Sequence, residues 1–532
     1  MKRHCILLLF VGIAVTAGSQ NVLRYNLTKY ADTPAADPEL ESRLTLRSQP
    51  ALVDWLMTDS ALSEQNIVRA TASSQLHNGD YLHYEGHHTT LAEVMAGGEL
   101  RISRVGTLYG RMIYSRQRRR DVFLNYADRP LDYMPYLVAD TVEDGRLLRE
   151  RYLVEGGLSF RLGTMRYGVS GFYEGTATAQ ETQPRRSVYN YWFRIGLSAA
   201  KVMPRWLLSI QVTPEINKQS ISASSALNAY TYAQFYGMGQ FNRKESMAGF
   251  GYSRHQDILG IGGDAVWSLL PATPRQWRLT AAVSFRYRHM ETEEGNYKNL
   301  FAANTSRLSH RLTASHAIGS HADFYLTLDG YMQWRKGEER VYEQQLMNKE
   351  QNLYDYTQVG TTALYKRNTF GEALRAKGVW HALPNADFSL TAGLSIDGSD
   401  EQYLSPWASV KSTTLTPSVT LGYQLNAPND QLSVDLGAAL RTNASHRYTL
   451  TDETPTEHTM AYVPYLLQAE DYWQLTAAVA YAHKLRRGQR LGAQLSGGYL
   501  RRTGAPYAER LLLDSDHRHR LLEASVSVFF LF

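Results

Sequence analysis

Near its end the chain alternates Leu522, Ala524, Val526, Val528, Phe530 and Phe532 with Glu523, Ser525 and Ser527. Period two over about ten residues fits a membrane-spanning strand with one apolar face. The pattern recurs upstream. Leu491, Ala493, Leu495, Gly497 and Tyr499 face away from Arg490, Gln494 and Ser496, and Trp473, Leu475, Ala477, Val479 and Tyr481 form another row. Within 278–288, Leu279, Ala281, Val283, Phe285 and Tyr287 oppose Arg278, Thr280, Ser284, Arg286 and Arg288. An arginine in lipid at the bilayer midplane costs about 2–4 kcal/mol. Three arginines on one face and none on the other therefore turn that face inward. Further inward candidates are Arg151, Glu155 and Arg161, Arg194, Asp264, Asp329, and Arg375 with Lys377.

Short turns at 487–488, 426–430, 383–386, 318–321, 271–275, 201–204 and 162–164 alternate with long polar connections, such as 336–368, 441–471 and 501–518. Strict alternation of short turns and long loops predicts an all-β fold: a transmembrane antiparallel up-and-down β-barrel, with turns on the periplasmic side and loops outside. The count is roughly eighteen strands over 65–532, or sixteen if the weak segment 66–74 is not a strand. Trp206, Trp277 and Trp380 adjoin short turns, whereas Trp334 and Trp473 adjoin long loops, as two interfacial girdles would.

The segment before the barrel, 20–64, differs in kind. Pro34, Pro38 and Pro50 punctuate it, and 51–62 can form a short helix. It is expected either to plug or line the lumen, or to order as a periplasmic tail against the barrel rim. Residues 1–19 read as a secretory signal peptide: Lys2 and Arg3 precede an apolar run that ends in small residues around Ala17. The single cysteine, Cys5, would leave with that peptide, so the exported form would hold no disulfide or thiolate site. Without Lys2 and Arg3 the formal charge of +5 falls to +3, too small a surplus to indicate nucleic acid.

The final strand, with Phe530 and Phe532, resembles the C-terminal signature by which bacterial outer-membrane barrels engage their assembly machinery. Other stretches resemble an uncharacterised, domain-of-unknown-function family of Gram-negative outer-membrane β-barrels: 131–140 (LDYMPYLVAD), 152–160 with 167–174, 191–194 (YWFR) and 236–241 (YGMGQF). That resemblance covers most of the mature chain and implies a cell outer-membrane barrel without implying a reaction. A fainter one, to long-chain fatty acid transporters, rests on Gln49, Pro50 and Ala51, where Gln stands in place of the family's Asn.

No catalytic residue, cofactor or metal site is assigned. Serines, histidines and acids are scattered, and no nucleophile elbow, metalloprotease helix or phosphate loop is present. His87 and His88 beside Glu85, and His517 and His519 beside Asp514 and Asp516, lack the spacing of a structural zinc site and read as solvated loop residues. The Tyr-rich stretch 229–241 suits either ligand stacking or ordinary interfacial architecture. The inward arginines suit either an anion-selecting ring or pairing with Glu155, Asp264 and Asp329 to rigidify the lumen. The partners expected are outer-membrane lipid, the assembly machinery and a small-molecule ligand. Passive or substrate-selective transfer of a small or amphipathic molecule is the first functional expectation. A surface adhesin or partner platform on the long loops is the second.

Overall fold

The computed structural model describes residues 22–31, 37–57, 66–103, 106–123, 125–134, 136–139, 145–181, 185–224, 230–235, 241–247, 252–271, 273, 276–294, 298–348, 350–351, 353–383, 385–405, 407–450, 461–506 and 517–532. Among these the first strands are β1 (Ile67–Gly79), β2 (His88–Ser103), β3 (Gly106–Arg120), β4 (Leu137–Ala139), β5 (Leu147–Leu162), β6 (Met165–Gln180) and β7 (Arg185–Val202). Next come β8 (Trp206–Ser224), β9 (Tyr230–Phe235), β10 (Phe241–Met247), β11 (Tyr252–Leu269), β12 (Arg278–Glu294), β13 (Lys298–Ile318) and β14 (Ala322–Asn348). The last are β15 (Leu353–Leu383), β16 (Ala386–Leu404), β17 (Trp407–Asn426), β18 (Asp430–Leu450), β19 (Asp471–Lys484), β20 (Arg490–Gly504) and β21 (His519–Leu531).

All but β4, β9 and β10 form one closed antiparallel sheet of 18 strands, each paired with its sequence neighbour in the barrel. Closure joins β21 to β1 in the register Ile67↔Leu531, extended by reciprocal backbone bonds between Asn66 and Phe532 at 2.9 and 3.0 Å. Segment 66–74 is thus a strand, and eighteen is the count. β4, β9 and β10 make a separate three-stranded sheet that takes in part of the Tyr-rich stretch. The rest of that stretch, the leader 1–19, Asp514 and Asp516 lie outside the described residues.

The side-chain alternation has the physical cause read from the sequence. On β21, Leu522, Val526, Val528 and Phe532 are exposed on the outer wall, while Ser527, Phe529 and Leu531 are buried within. The same split runs round the barrel: Val283 and Phe285 of β12 are exposed, whereas Thr280 is buried. Trp206, Trp277, Trp334 and Trp380 are exposed near the ends of this apolar belt, and Trp473 lies against Tyr499 at a ring distance of 5.2 Å. Among the described residues no helix is long and apolar enough to cross a membrane.

Two long connections differ from expectation. Residues 336–368 are largely strand: β14 and β15 run for 27 and 31 residues, against the roughly ten that a membrane requires. Their paired ends form a hairpin projecting past the barrel, because a ladder satisfies backbone groups that a bare loop would leave to water. In the second, β18 continues to Leu450 and a helix, Val463–Ala469, turns back towards the wall.

Candidate functional site

The lumen is occupied at both mouths. At the short-turn end lie helices α1 (Val22–Thr28), α2 (Pro38–Arg47) and α3 (Val53–Leu56), with a 3-10 turn at Pro50–Leu52. The expected helix over 51–62 is thus shorter, ending at Leu56, and residues 58–65 lie outside the described ones. α2 begins where it does because Asp37 accepts the Glu39 N–H at 3.1 Å, with Pro38 in the first turn and Glu39 and Glu41 facing the positive helix end. Asp37, Pro38, Glu39 and Glu41 are together a helix-start signal legible in the sequence.

This segment is tied to strands around the whole barrel. Lys377 of β15 donates to both Asp37 oxygens at 2.9 and 3.0 Å and to Glu39 at 2.7 Å. Arg24 pairs with Asp37 and with Asp435 of β18, and donates to Ser433 at 2.9 Å. Arg375 bridges Glu41, at 2.9 Å, and Asp329. Arg111 of β3 donates to the Tyr30 and Ala31 carbonyls at 3.0 and 2.8 Å while held by Glu155 at 2.9 Å. Asp54 accepts from Arg166 at 2.6 Å and Thr107 at 3.1 Å.

Wall serines also satisfy helix-start amides: Ser198 accepts the Ala51 N–H at 2.8 Å and Ser159 the Asp54 N–H at 3.1 Å. The turn lies against bare backbone at Gly168, where a Cβ would come within 2.3 Å of Pro50 and Ala51 backbone atoms. Leu46, Ala51 and Leu52 pack with Ala200, Leu207 and Val266 of the wall.

Charge is balanced tightly here. Burial by itself pushes the Asp37 carboxyl up, but Lys377 and Arg24 beside it more than offset this and bring it below its ordinary value. Lys29 goes the other way. Burial, with the nearby charge of Arg47, pulls it down to about 7. Glu99 lies 3.8 Å from its Nζ, but Arg47 bonds that carboxylate directly and leaves Lys29 the weaker share.

The long-loop mouth is filled by residues 121–123, 125–134, 136 and 461–470. Asp128 forms an ion pair with Arg149 at 2.7 Å, accepts from its Nη2 at 3.1 Å, and accepts from Thr176 and Thr178, each at 2.9 Å. Burial would raise its carboxyl, yet Arg149, Arg119 and the threonine bond hold it down to about 2. Tyr133 donates to Asn217 at 2.6 Å, Tyr136 stacks on Phe301 at 4.5 Å, and the buried Arg254 and Arg335 hold the Tyr136 and Leu131 carbonyls, both at 2.8 Å. After the helix Val463–Ala469, Glu470 binds Arg502 at 2.6 Å and His519 at 2.8 Å. Arg502 and His517 meet Asp80 at 2.6 and 3.1 Å, and His87 pairs with Asp121.

Between the two fillings the wall carries most of the inward residues singled out above. Arg286 binds Asp264 at 2.7 Å, Arg288 binds Glu215 at 2.6 Å, and Arg151 binds Glu174 at 2.8 Å. Glu155 takes Arg111, and Arg278 starts β12 near the inner mouth. Arg194 differs: its guanidinium lies 3.8 Å from the Phe172 ring centroid and 4.6 Å from that of Trp192. Trp192 also faces Arg129 and Arg288 at 4.6 and 5.1 Å, and donates to Glu215 at 3.1 Å. Sequence reasoning missed Glu174, Glu215, Trp192 and Asp128. Glu174, Glu215 and Trp192 sit at inward strand positions and Asp128 in a loop; Glu174 and Asp128 meet arginines only 23 and 21 residues away, whereas Glu215 meets Arg288 across β11 once the sheet has formed.

An apolar outer wall closed around a polar, internally occupied lumen defines the class: a transmembrane β-barrel. Within it the chain belongs to the family of unknown function DUF6850, which matches residues 57–530. No curated protein matches it. Among solved structures it is similar to BauA, the ferric preacinetobactin receptor from Acinetobacter baumannii, at 9% identity and TM-score 0.35, over 88% of this chain and 80% of that one. It is also similar to the ferric citrate transporter FecA in its unliganded form, at 11% identity and TM-score 0.38, over 87% and 78%. A third is the copper transporter OprC, at 8% identity and TM-score 0.34, over 87% and 82%. At TM-scores this low no site residue or substrate transfers from them to this chain.

Proposed function

We propose that this protein lies in the outer membrane of a Gram-negative bacterium and passes a small or amphipathic solute through a lumen gated at both mouths. The observation that carries the reading is the way residues 22–31 and 37–57 close the inner mouth, by ion pairs and hydrogen bonds to the wall beside apolar packing of Leu23, Leu27 and Tyr30 against Ile67, Met95 and Leu153. A barrel of this strand number is wide enough for an aqueous channel, so a segment across it controls passage. A polar seam separates into two surfaces that water can solvate, whereas an apolar one exposes surface that water disfavours. The ion pairs of this closure are the part of the seam that suits movement, and the apolar contacts of Leu23, Leu27 and Leu52 are the part that holds it shut. The wall between the mouths carries paired charges, and its aromatic patch at Phe172 and Trp192 packs against the closing segment, so withdrawal of that segment would bare a mixed charged and aromatic wall suited to a selected solute rather than to bulk ion flow.

The test is single-channel conductance and liposome uptake for four forms: mature protein, protein starting at residue 65, protein lacking 122–145, and protein lacking both. The mature form should be silent and the doubly trimmed form should conduct. Silence in all four, with the barrels folded, would remove the transport reading. A second reading, a surface adhesin or partner platform, is favoured by the projecting β14–β15 hairpin. In that case removing 340–362 abolishes partner capture while the barrel stays heat-modifiable on gels.

A further inference from the structure

On the outer wall, the outward face of β3 runs Leu108, Met112, Tyr114, Arg116, Arg118, Arg120, passing from exposed apolar to exposed basic residues towards the long-loop end. Two strands to the other side of the barrel seam, Arg501 of β20 stands directly opposite Arg520 of β21, both exposed. Like charges facing across an antiparallel pair repel unless an anion lies between them. Arg118 has Glu181 at 2.9 Å. Arg116, Arg120, Arg501 and Arg520 make no ion pair among the described residues, although Glu150 is the register partner of Arg116. At about 4.8 Å per strand the four steps from β20 to β3 cover roughly 19 Å; in register Arg120 is level with Tyr499, two residues from Arg501, and Arg116 is level with Leu495, about 20 Å along the strands from Arg501 at about 3.3 Å per residue. Lys218, by contrast, is neutralised by Asp257 at 3.0 Å, and the outward row of β12 ends on Glu291 and Glu293, while exposed cations also stand opposite each other at Lys336 and Lys366 and at Lys411 and Arg447, away from the furrow described next.

Below this row the same strands carry an open furrow. Ala70, Ala72 and Ala92 form its floor, Val526 and Val528 one wall, and Val94, Tyr114 and Arg116 the other. Ala72, Ala92 and Arg116 follow one another in register, so the furrow runs from the apolar belt up to a guanidinium.

We propose that this face binds a phosphate-bearing, acylated lipid of the outer leaflet, its phosphates on Arg116, Arg120, Arg501 and Arg520 and one acyl chain in the Ala70–Ala72–Ala92 furrow. Guanidinium forks match phosphate oxygens in pairs, and basic clusters beside a membrane recognise anionic headgroups. Free phosphate would leave the furrow unused. A second copy of the chain would set one basic row against another. The inference rests on the membrane placement above but not on transport.

Mature protein, the triple variant R116Q/R501Q/R520Q and the furrow variant A92F are purified in detergent. Each is incubated with diphosphorylated lipid A, its dephosphorylated form or inorganic phosphate, and bound lipid per barrel is read by native mass spectrometry. Heat-modifiable migration reports folding. The parent should retain the diphosphorylated lipid, and both variants should lose it at least about tenfold, the scale of losing charge-assisted bonds to a single arginine. Inorganic phosphate at matched concentration should not displace it. Equal retention of the two lipids, retention unchanged in the triple variant, or full displacement by phosphate would overturn the site. A parent that never migrates as a folded barrel would overturn the membrane placement as well, whereas absence of conductance leaves the lipid site standing.

Discussion

Replacing Lys377 with Met should release the inner closure. Its ammonium is buried and makes three short contacts, to both oxygens of Asp37 and to Glu39. Removing one partner of a buried pair costs about 3–5 kcal/mol. Arg24, 3.4 Å from Asp37, still offers partial compensation, so the lower figure applies. About 3 kcal/mol is a factor of roughly a hundred or more in the undocked population.

The assay uses the chain from residue 20, which contains no cysteine, carrying Ser42→Cys, a near-isosteric change at a buried site where the hydroxyl meets Thr280 at 2.9 Å. Maleimide labelling then reports opening, and its rate in K377M should exceed that of the parent about a hundredfold. The pH dependence should also invert. In the parent, Asp37 lies below its ordinary value, so its contribution is present above about pH 4 and is lost as pH falls further. Without Lys377, burial raises Asp37, so lowering the pH neutralises a stranded carboxylate and slows labelling. A rate within threefold of the parent, or an uninverted profile, would refute the argument that this ion pair holds the segment.

Three other perturbations follow from the same geometry. Gly168→Ala places a Cβ against the Pro50–Ala51 backbone and should raise Ser42→Cys labelling at least tenfold, while Gly171→Ala, with nothing within 4 Å, should leave it unchanged. Lys29 is held near 7 when docked, whereas the free segment keeps its proton to about 10.5; docking should therefore strengthen as pH rises between those values, and K29M should abolish that slope in the labelling rate. Asp128→Asn strands Arg149 and weakens two threonine bonds, so hydrogen exchange of residues 121–136 should rise about a hundredfold. In the parent that anchor should persist down to about pH 4 and fade towards about pH 2, since Asp128 is depressed to about 2.

The sequence by itself determined the wall of this protein. Period-two rows such as Leu279 to Tyr287 against Arg278 to Arg288 specify a strand, its two faces and which face meets lipid, because a one-residue error in register would put arginine into hydrocarbon. The turn and loop rhythm fixed strand order, since an up-and-down barrel pairs each strand with its neighbour in the chain. The tertiary structure alone decided what fills the lumen. Asp37, Glu41 and Asp54 find their cations on β15 and β6, 340, 334 and 112 residues away in sequence. Local pattern carries no information about such distant pairs, because closing the barrel is what brings them within reach. The same holds outside, where Arg501 and Arg116 share one face only because the last strands of the chain close against the first.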